Sequence, residues 1–313
     1  MNREQTSLHI PPYLKEGDKI GLISTARKIS IDELQEAIKC IESWGLEVVL
    51  GENLFNNYNQ FSGQDDERTK DLQSMLDNQD IKAIICVRGG YGTVRIIDDI
   101  DFSHFQKNPK WLAGFSDITV LHSHIHKLNV ATLHSTMPIS FSNNTSNAVM
   151  SLKDALLGKH LSIKIDYHAL NRFGEVKGQI VGGNLSILYS LIGSPSDLNT
   201  DGKILFIEDL DEYLYHIDRM MMNLKRSGKL SNLKGLIVGG MTKMNDNTIP
   251  FGKDAESIIK DAVSEYNYPV CFGFPAGHIK DNRTLKLGVI AELKVDKQSS
   301  LNYKQSLTNR ASR

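Results

Sequence analysis

Short apolar runs alternate with helical segments along the first half of the chain. Three of these runs, 18–25, 46–50 and 81–87, have the length and composition of strands, and the last, IKAIICV, is apolar enough to be buried on both faces. Ser30 and Glu33 stand at the spacing of a capping box, which predicts that a helix begins between the first two runs. Strands that alternate with helices in this way predict a parallel sheet covered by helices on both faces.

The second half of the chain is less regular and predicts a mixed arrangement of helices and strands. VKGQIVGG, KILFIED and LKGLIVGG are strand-like, and TLKLGVIAELKV has β character. A helical segment that ends at Gly158 is followed by polar sequence over 159–175, which predicts a linker. We therefore expect two domains, 1–160 and 161–313, and a frayed end over 300–313.

Composition and charge exclude several classes of partner. The net charge of -1 gives no electrostatic basis for binding nucleic acid or an anionic membrane. No stretch approaches the ~18 apolar residues of a membrane span, and the N-terminus lacks the continuous apolar segment of a secretory signal. Cys40, Cys86 and Cys271 are widely spaced and odd in number, which is typical of free thiols in a reducing compartment. We expect a cytoplasmic enzyme or binding protein with a small-molecule or peptide partner.

Ser116 follows the apolar run WLAGF and precedes a helical pattern. A strand–turn–helix junction of this kind can hold a nucleophilic serine above a sheet, and Gly114 would allow the sharp bend. Free N–H groups at the start of the helix would face the oxyanion that forms during attack. The alternative is an ordinary helix N-cap, because Ser116 and Asp117 are both favoured there and G-F-S-D is not the G-x-S-x-G of lipases.

The segment RGGYG (88–92) follows the buried run 81–87. Its paired glycines, Gly89 and Gly90, permit the backbone to approach a ligand closely. A phosphate-binding loop is one interpretation, but neither of the common phosphate-loop motifs is present, and a tight turn is equally consistent. In a parallel sheet this segment and the Ser116 loop would open at the same carboxyl edge, where such folds bind ligands.

Two further candidates stand at the ends of predicted strands in the second half. Glu208 lies where KILFIED changes from apolar to charged residues, and His278 lies in the Gly- and Pro-containing segment GFPAGHIKDN. A carboxylate can orient a histidine, and histidine has the pKa that suits a general base for serine. Each residue also has an ordinary explanation, a solvated helix entry for Glu208 and a surface loop for His278. Together with Ser116 they would form a site in the cleft between the two domains.

The segment HSHIH offers a competing site with His122, His124 and His126. The first and last of these histidines would share one face of a helix and could bind zinc. No H-E-x-x-H or Cys-x-x-Cys motif accompanies them, so the sequence favours core or surface histidines and predicts no metal site.

Taken together, these motifs resemble the LD-carboxypeptidases, a family of serine peptidases that also includes the microcin C immunity peptidases. The matching stretches extend from about residue 17 to about residue 290 and include GDKIGLIS, FSGQDDERTKDLQSML, AIICVRGGYGTVRIIDDID, NPKWLAGFSDITVLH, GQIVGGNLSIL, KILFIEDLDEYLYHIDRMMMNLKRSG and FGFPAGH. The resemblance implies an α/β fold with a Rossmann-like parallel-sheet N-terminal domain and a smaller mixed, β-rich C-terminal domain. It also implies a homodimer that requires no metal or organic cofactor.

The resemblance further implies roles for individual residues. The positions that match the family's Ser-His-Glu triad are Ser116, His278 and Glu208. By the same matching, the backbone N–H groups of Gly90 and Asp117 would form the oxyanion hole.

Three residues of the RGGYG segment are candidates for substrate binding. The charge of Arg88 makes it an available cation for the terminal carboxylate of a peptide, and Gly89 and Tyr91 are candidates beside it. The chain has ISTARK where the family often has an S-P-S or A-P-A-S type turn, and LHSTM where H-G-P-M is more usual. Both segments could shape the pocket, so these departures concern the choice of substrate more than the chemistry.

The resemblance implies a serine carboxypeptidase that cleaves an L,D peptide bond and releases terminal D-alanine from a murein tetrapeptide during peptidoglycan recycling. A hydrolase of nucleotidyl peptides such as processed microcin C is an alternative, as is a non-catalytic peptide-binding relative. The absence of an obvious long insertion between Glu208 and His278 favours the murein substrate.

Overall fold

A computed structural model describes residues 8–303, which form two β-sheets flanked by helices. In chain order the strands are β1 (Lys19–Ile23), β2 (Glu47–Leu50), β3 (Ile81–Cys86), β4 (Trp111–Gly114), β5 (Thr132–His134), β6 (Ser162–Ile165), β7 (Gly174–Asn184), β8 (Ile204–Leu210), β9 (Gly235–Thr242), β10 (Val270–Cys271), β11 (Leu285–Leu287), β12 (Ile290–Val295) and β13 (Ser299–Tyr303). The α-helices are α1 (Ile31–Glu42), α2 (Asp65–Asp77), α3 (Thr93–Ile96), α4 (Ser103–Lys107), α5 (Thr119–Lys127), α6 (Ser146–Leu156), α7 (Leu185–Ser190), α8 (Leu214–Arg226) and α9 (Ala255–Ala262). Within the described residues, no helix has both the length and the apolar character needed to cross a membrane.

The first sheet has six strands in the order β11-β5-β4-β3-β1-β2. Its strands from the first half of the chain are parallel, as the alternation of strands and helices predicted, and β11 adds an antiparallel edge. All residues of β3 except Lys82 are buried, because helices cover both faces of the sheet. The predicted capping box is also present, since the Ser30 side chain accepts a hydrogen bond from the Glu33 N–H at the start of α1.

The second sheet has seven strands in the order β10-β9-β8-β7-β12-β13-β6. The neighbours from β10 to β7 are parallel, and those from β7 to β6 are antiparallel. This arrangement confirms the prediction of an α/β fold whose second part is mixed and rich in β-strands. It also places the carboxyl end of β8 beside that of β7, where Glu208 pairs with Asn184.

The predicted linker and the predicted frayed end are each partly wrong. Residues 159–175 contain β6, and residues 300–303 belong to β13, which pairs with both β6 and β12. Buried and less buried positions alternate along β6 and β13, so each strand covers the core with only one face. Such a strand needs few apolar residues, so the polar composition of these segments did not indicate a strand. Residues 304–313 of the predicted frayed end lie outside the described residues.

Strand β11 joins the two halves of the chain. It comes from the second half but pairs with β5 in the first sheet, with Leu285 opposite His134. Strand β6, close to the predicted boundary, belongs to the second sheet. The division into domains 1–160 and 161–313 stays a prediction.

The buried position of β13 can be tested by substitution. Leu301 is 0% exposed, so we expect Leu301→Ala to lower the free energy of unfolding by about 2–5 kcal/mol, as large-to-small changes in a core do. Ser300→Ala, in the same strand but only partly buried, should change it by less than about 0.5 kcal/mol. Urea denaturation of both variants measures the two effects. Equal, small effects would mean that the strand does not pack against the core.

Candidate active site

Ser116 lies at the sharp turn between β4 and α5. Its backbone φ is 64°, in the left-handed region that a residue with a side chain adopts at a cost of roughly 1–3 kcal/mol. Gly114 permits the bend, because a Cβ there would lie 2.9 Å from Ile118 Cγ1. The N-cap of the short 3-10 helix Ser116–Ile118 is Phe115, and the N-cap of α5 is Ile118. The N-cap interpretation of Ser116 is therefore wrong, and the turn has the geometry of a nucleophile elbow.

Three of the predicted site residues form a series in which His278 lies within hydrogen-bonding distance of the other two. His278 Nε2 is 3.1 Å from Ser116 Oγ, and His278 Nδ1 is 2.7 Å from Glu208 Oε2. If Nδ1 carries the proton that is donated to Glu208, Nε2 is the acceptor for the serine hydroxyl. This order of serine, imidazole and carboxylate is the one in which a histidine activates a serine for nucleophilic attack.

Glu208 is positioned by the strand that carries it and by the loop that faces it. It lies in β8, whose residues are buried up to Asp209, and its own side chain is 0% exposed. Its Oε2 atom also accepts a hydrogen bond from the His278 backbone N–H at 3.1 Å. Gly277 allows this approach, because it has a φ of 101° and a Cβ there would lie 2.6 Å from Glu208 Oε2. The ring and the backbone of His278 are thus fixed by one carboxylate oxygen.

Nearby carboxylates control the protonation of His278. Burial of the imidazole lowers its pKa, but the charge and hydrogen bond of Glu208 and the charge of Asp209 outweigh burial, so the pKa lies above its ordinary value. For Asp209 itself, burial and then the charge of Glu208 raise the pKa to about 7. Protonated His278 is therefore stabilised by the acids beside it, as a base that must carry a transient positive charge requires.

A chain of hydrogen bonds that crosses between the two sheets holds the Ser116 turn against the end of β8. Thr119, in the first turn of α5, accepts a hydrogen bond from the Asn184 N–H at 3.0 Å. Asn184 Nδ2 donates to Asp209 Oδ1 at 2.9 Å, and Asp209 Oδ2 accepts from the Ser186 N–H, also at 2.9 Å. Sequence reasoning missed these residues. The sequence signal that could have indicated them is a polar residue near the end of each of two apolar strands, Asn184 in β7 and Asp209 in β8.

The RGGYG segment lies against the Ser116 turn, at the carboxyl edge of the first sheet. A Cβ at Gly89 would lie 3.2 Å from Ser116 Cβ, so a side chain at this position would crowd the serine. Gly90 has a φ of 112°, which favours glycine. The residue after the serine, Asp117, is buried, and its carboxylate accepts a hydrogen bond at 2.8 Å from the N–H of Thr93, which directly follows RGGYG. Gly90 and Asp117 therefore lie in two segments that meet at Ser116, the RGGYG segment and the serine turn itself.

The same contact bears on the phosphate-loop interpretation. Thr93 begins α3, so a protein carboxylate already binds the N-terminus of the helix that follows RGGYG. Burial raises the pKa of that Asp117 carboxyl, and its Oδ1 atom is buried without a hydrogen-bond partner among the described residues. These observations favour a tight turn that supports the serine over a phosphate site.

Arg88 is not an unengaged cation, contrary to the expectation from sequence. Its Nη1 atom donates to the Lys28 carbonyl at 2.9 Å and lies 3.7 Å from Glu33 Oε1. The guanidinium is therefore directed toward the start of α1. Tyr91, three residues further on, is exposed and its ring centroid lies 6.2 Å from that of Phe61.

Two histidines of HSHIH, His122 and His124, have structural partners. His122 is buried, with Nδ1 2.8 Å from Thr132 Oγ1 and Nε2 3.0 Å from the Gly114 carbonyl, so it supports the end of β4. Burial lowers its pKa to about 4, which keeps it neutral. His124 Nδ1 lies 3.0 Å from Ser196 Oγ. Across residues 8–303 there is no group of three His, Cys, Asp or Glu side chains arranged to hold a metal ion.

Comparison with known proteins decides the family. The chain matches the LD-carboxypeptidase N-terminal domain over residues 20–135 and the LD-carboxypeptidase C-terminal domain over residues 177–293. It belongs to the LD-carboxypeptidase family. This membership confirms the predicted enzyme class, a serine-type carboxypeptidase.

Individual LD-carboxypeptidases and related structures are similar to this protein over nearly its whole chain. A "Probable murein peptide carboxypeptidase" from Bacillus subtilis (strain 168) is 34% identical over 301 residues, which cover 93% of this chain and 93% of the relative. The crystal structure of muramoyltetrapeptide carboxypeptidase from Oxalobacter formigenes has a TM-score of 0.84 at 28% identity, and covers 91% of this chain and 98% of that chain. The microcin C7 self-immunity protein MccF, in complex with aspartyl sulfamoyl adenosine, also has a TM-score of 0.84, covering 95% of this chain and 99% of that chain. At 22% identity, MccF shows a shared fold alone.

The influence of Glu208 on His278 can be measured without a substrate. Glu208→Gln keeps the shape of the side chain and removes its charge, so we expect the pKa of His278 to fall below its value in the unmodified enzyme. NMR titration of the imidazole C–H resonances measures the shift. Glu212→Gln is the matched control, because Glu212 contacts a different imidazole, with Oε2 2.6 Å from His216 Nδ1. An unchanged pKa in Glu208→Gln would contradict the assignment of Glu208 as the partner of His278.

Proposed function

We propose that this LD-carboxypeptidase hydrolyses the L,D peptide bond before the terminal D-alanine of a murein tetrapeptide, a step in peptidoglycan recycling. The observation that carries the proposal is the series of contacts from Ser116 through His278 to Glu208, at 3.1 Å and 2.7 Å. The names of the relatives support the class of substrate. The Bacillus subtilis relative is named for murein peptides, and the Oxalobacter formigenes structure is that of a muramoyltetrapeptide carboxypeptidase.

In the proposed first half-reaction, Ser116 is the nucleophile. His278 Nε2 takes the hydroxyl proton while Ser116 Oγ bonds to the carbonyl carbon of the scissile peptide, and Glu208 stabilises the resulting imidazolium. The backbone N–H groups of Gly90 and Asp117 donate to the carbonyl oxygen, which becomes the oxyanion. Loss of one such donor typically costs about 10²–10³ in rate.

Breakdown of the tetrahedral intermediate completes the reaction. The bond between carbon and nitrogen breaks, and His278 gives its proton to the amine of the departing D-alanine. A water molecule then loses a proton to His278 and attacks the acyl-enzyme, and Ser116 Oγ recovers the proton as the shortened peptide leaves with a new carboxylate. Each proton transfer uses a protein side chain, so the proposed mechanism requires no metal or organic cofactor.

A nucleotidyl peptide of the microcin C type is the second candidate substrate. The fold shared with MccF favours it. The 34% identity to a relative named for murein peptides favours the tetrapeptide as the main substrate. Parallel assays of the two substrates with one enzyme preparation distinguish these functions.

We also propose that the enzyme acts in the cytoplasm as a homodimer, on a small peptide and without a nucleic-acid or membrane partner. Free thiols at Cys40, Cys86 and Cys271 support a reducing compartment. The homodimer follows from the family resemblance. Light scattering of the purified chain should give twice the mass of the monomer, and a monomeric mass at assay concentration would contradict this part of the proposal.

Substitution of the serine tests the proposed chemistry. We expect Ser116→Ala to reduce the release of D-alanine from L-Ala-γ-D-Glu-meso-diaminopimelyl-D-Ala by at least about 10³-fold, because the attacking oxygen is removed. Mass spectrometry of the released amino acid measures the loss. Ser123→Ala is the control, since Ser123 lies on α5 with a buried hydroxyl that has no hydrogen-bond partner among the described residues. Full activity in Ser116→Ala would show that another group attacks the substrate.

The pH dependence of the reaction tests the role of His278. A general base must be neutral to accept a proton, so kcat/KM should increase with pH as His278 is deprotonated. Because Glu208 and Asp209 raise the pKa of His278, we expect the midpoint to lie above the ordinary histidine value of about 6.5. Initial rates at low substrate concentration between about pH 5 and about pH 9 give this midpoint. A midpoint clearly below the ordinary value would be inconsistent with this base.

A further inference from the structure

Arg27 lies at the carboxyl edge of the first sheet, in the ISTARK segment that follows β1. Its backbone is held by two contacts. The Arg27 N–H donates to the Gly89 carbonyl at 3.4 Å, and the Arg27 carbonyl accepts from Ser24 Oγ at 2.7 Å. The first of these contacts ties Arg27 to the RGGYG segment beside the proposed nucleophile.

The side chain of Arg27 extends over that segment. A Cβ at Gly90 would lie 2.5 Å from Arg27 Cδ and 2.7 Å from Arg27 Nε, so the arginine occupies the space above this glycine. Gly89, the preceding residue, is the one whose Cβ would lie 3.2 Å from Ser116 Cβ. Arg27 therefore lies over the glycine that adjoins the contact with the proposed nucleophile. It also interacts electrostatically with the carboxyl of Asp117, the residue that follows Ser116.

Other cations around this segment have partners that Arg27 lacks. Arg88 bonds to a backbone carbonyl and lies near Glu33, and Arg68 and Arg95 both pair with Asp65. Among residues 8–303, Arg27 has no carboxylate within 4.0 Å, and its side chain is exposed. An exposed arginine that lies over Gly90, with no carboxylate close enough for an ion pair, is suited to bind an anionic group of the substrate.

The proposed function specifies which anionic group would be near. A carboxypeptidase cleaves the last peptide bond, so the free carboxylate of the leaving amino acid lies within one residue, about 3.8 Å between successive Cα atoms, of the scissile bond. Guanidinium and carboxylate form two parallel hydrogen bonds, which give both strength and orientation. Resting on the proposed function, we propose that Arg27 binds the terminal carboxylate of the leaving D-amino acid and thereby restricts the enzyme to the end of the peptide.

The test compares a tetrapeptide with its C-terminal amide, which keeps the scissile bond and lacks the terminal charge. The unmodified enzyme should prefer the free acid by about 30-fold or more in kcat/KM, because the amide leaves the guanidinium without its charged partner. Arg27→Ala should lose most of this preference through a higher KM for the acid, while its activity on the amide stays within about threefold. Arg27→Lys should retain part of the preference, since it keeps the charge without the paired geometry.

Two further variants make the comparison specific. Lys28→Ala is the control, because Lys28 is the adjacent exposed cation and bonds to Asn57 Oδ1 at 3.1 Å. It should behave like the unmodified enzyme on both substrates. Arg88→Ala should also keep the preference for the acid. If Arg88→Ala lost that preference and Arg27→Ala did not, Arg88 and not Arg27 would be the residue that binds the terminal carboxylate.

A lysine-containing tetrapeptide distinguishes the terminal carboxylate from the side-chain carboxylate of diaminopimelate. Arg27→Ala should lose the preference for the acid with both peptides. Three results for Arg27→Ala would overturn the Arg27 assignment: an effect confined to the diaminopimelate peptide, an equal decrease on acid and amide, or an unchanged preference for the acid. In each case, D-alanine release by the unmodified enzyme would still support the proposed function. If the unmodified enzyme released D-alanine from neither acid, the proposed function would fail, and the assignment with it.

Discussion

The two hydrogen bonds that Glu208 Oε2 accepts from His278 determine the geometry of the site. The ring Nδ1 lies 2.7 Å from this oxygen, and the backbone N–H of the same histidine lies 3.1 Å from it. One atom therefore fixes both the loop and the imidazole that extends from it. The arrangement depends on Gly277, which leaves space for the carboxylate, and on β8, which buries it. A buried carboxylate is costly without partners, and truncation of the histidine side chain would leave Glu208 Oε2 with the backbone N–H as its remaining donor from His278.

The site also depends on contacts between the two sheets. Ser116 is carried by the first sheet and Glu208 by the second, and the bond from Asn184 to Thr119 connects the strand beside Glu208 to the helix that follows Ser116. Strand β11 strengthens this connection, because it follows the loop of His278 in sequence and pairs with β5 in the first sheet. The strained φ of 64° at Ser116 is maintained by this surrounding structure.

The sequence predicted the parts of the structure that follow from strong local patterns. Alternating apolar runs and helices indicated the parallel sheet, and the position of Ser116 between WLAGF and a helix indicated the elbow. Strands β6 and β13 were missed because each buries only one face and has few apolar residues. The partners of Arg88 and the contacts of Asn184 could not be predicted, since they join residues that are far apart in the chain. Pairings of that kind are set by the tertiary fold, which a local pattern does not contain.

The central claim is that Ser116 attacks the substrate with His278 as its base. Covalent labelling with a phosphonate analogue of the D-alanyl peptide, followed by peptide mapping, tests it most directly because the label reports the attacking atom. The account predicts one label per chain on Ser116, no label in Ser116→Ala, and much slower labelling in His278→Ala. A label on any other residue, or inhibition of the enzyme without a bond to Ser116, would contradict it.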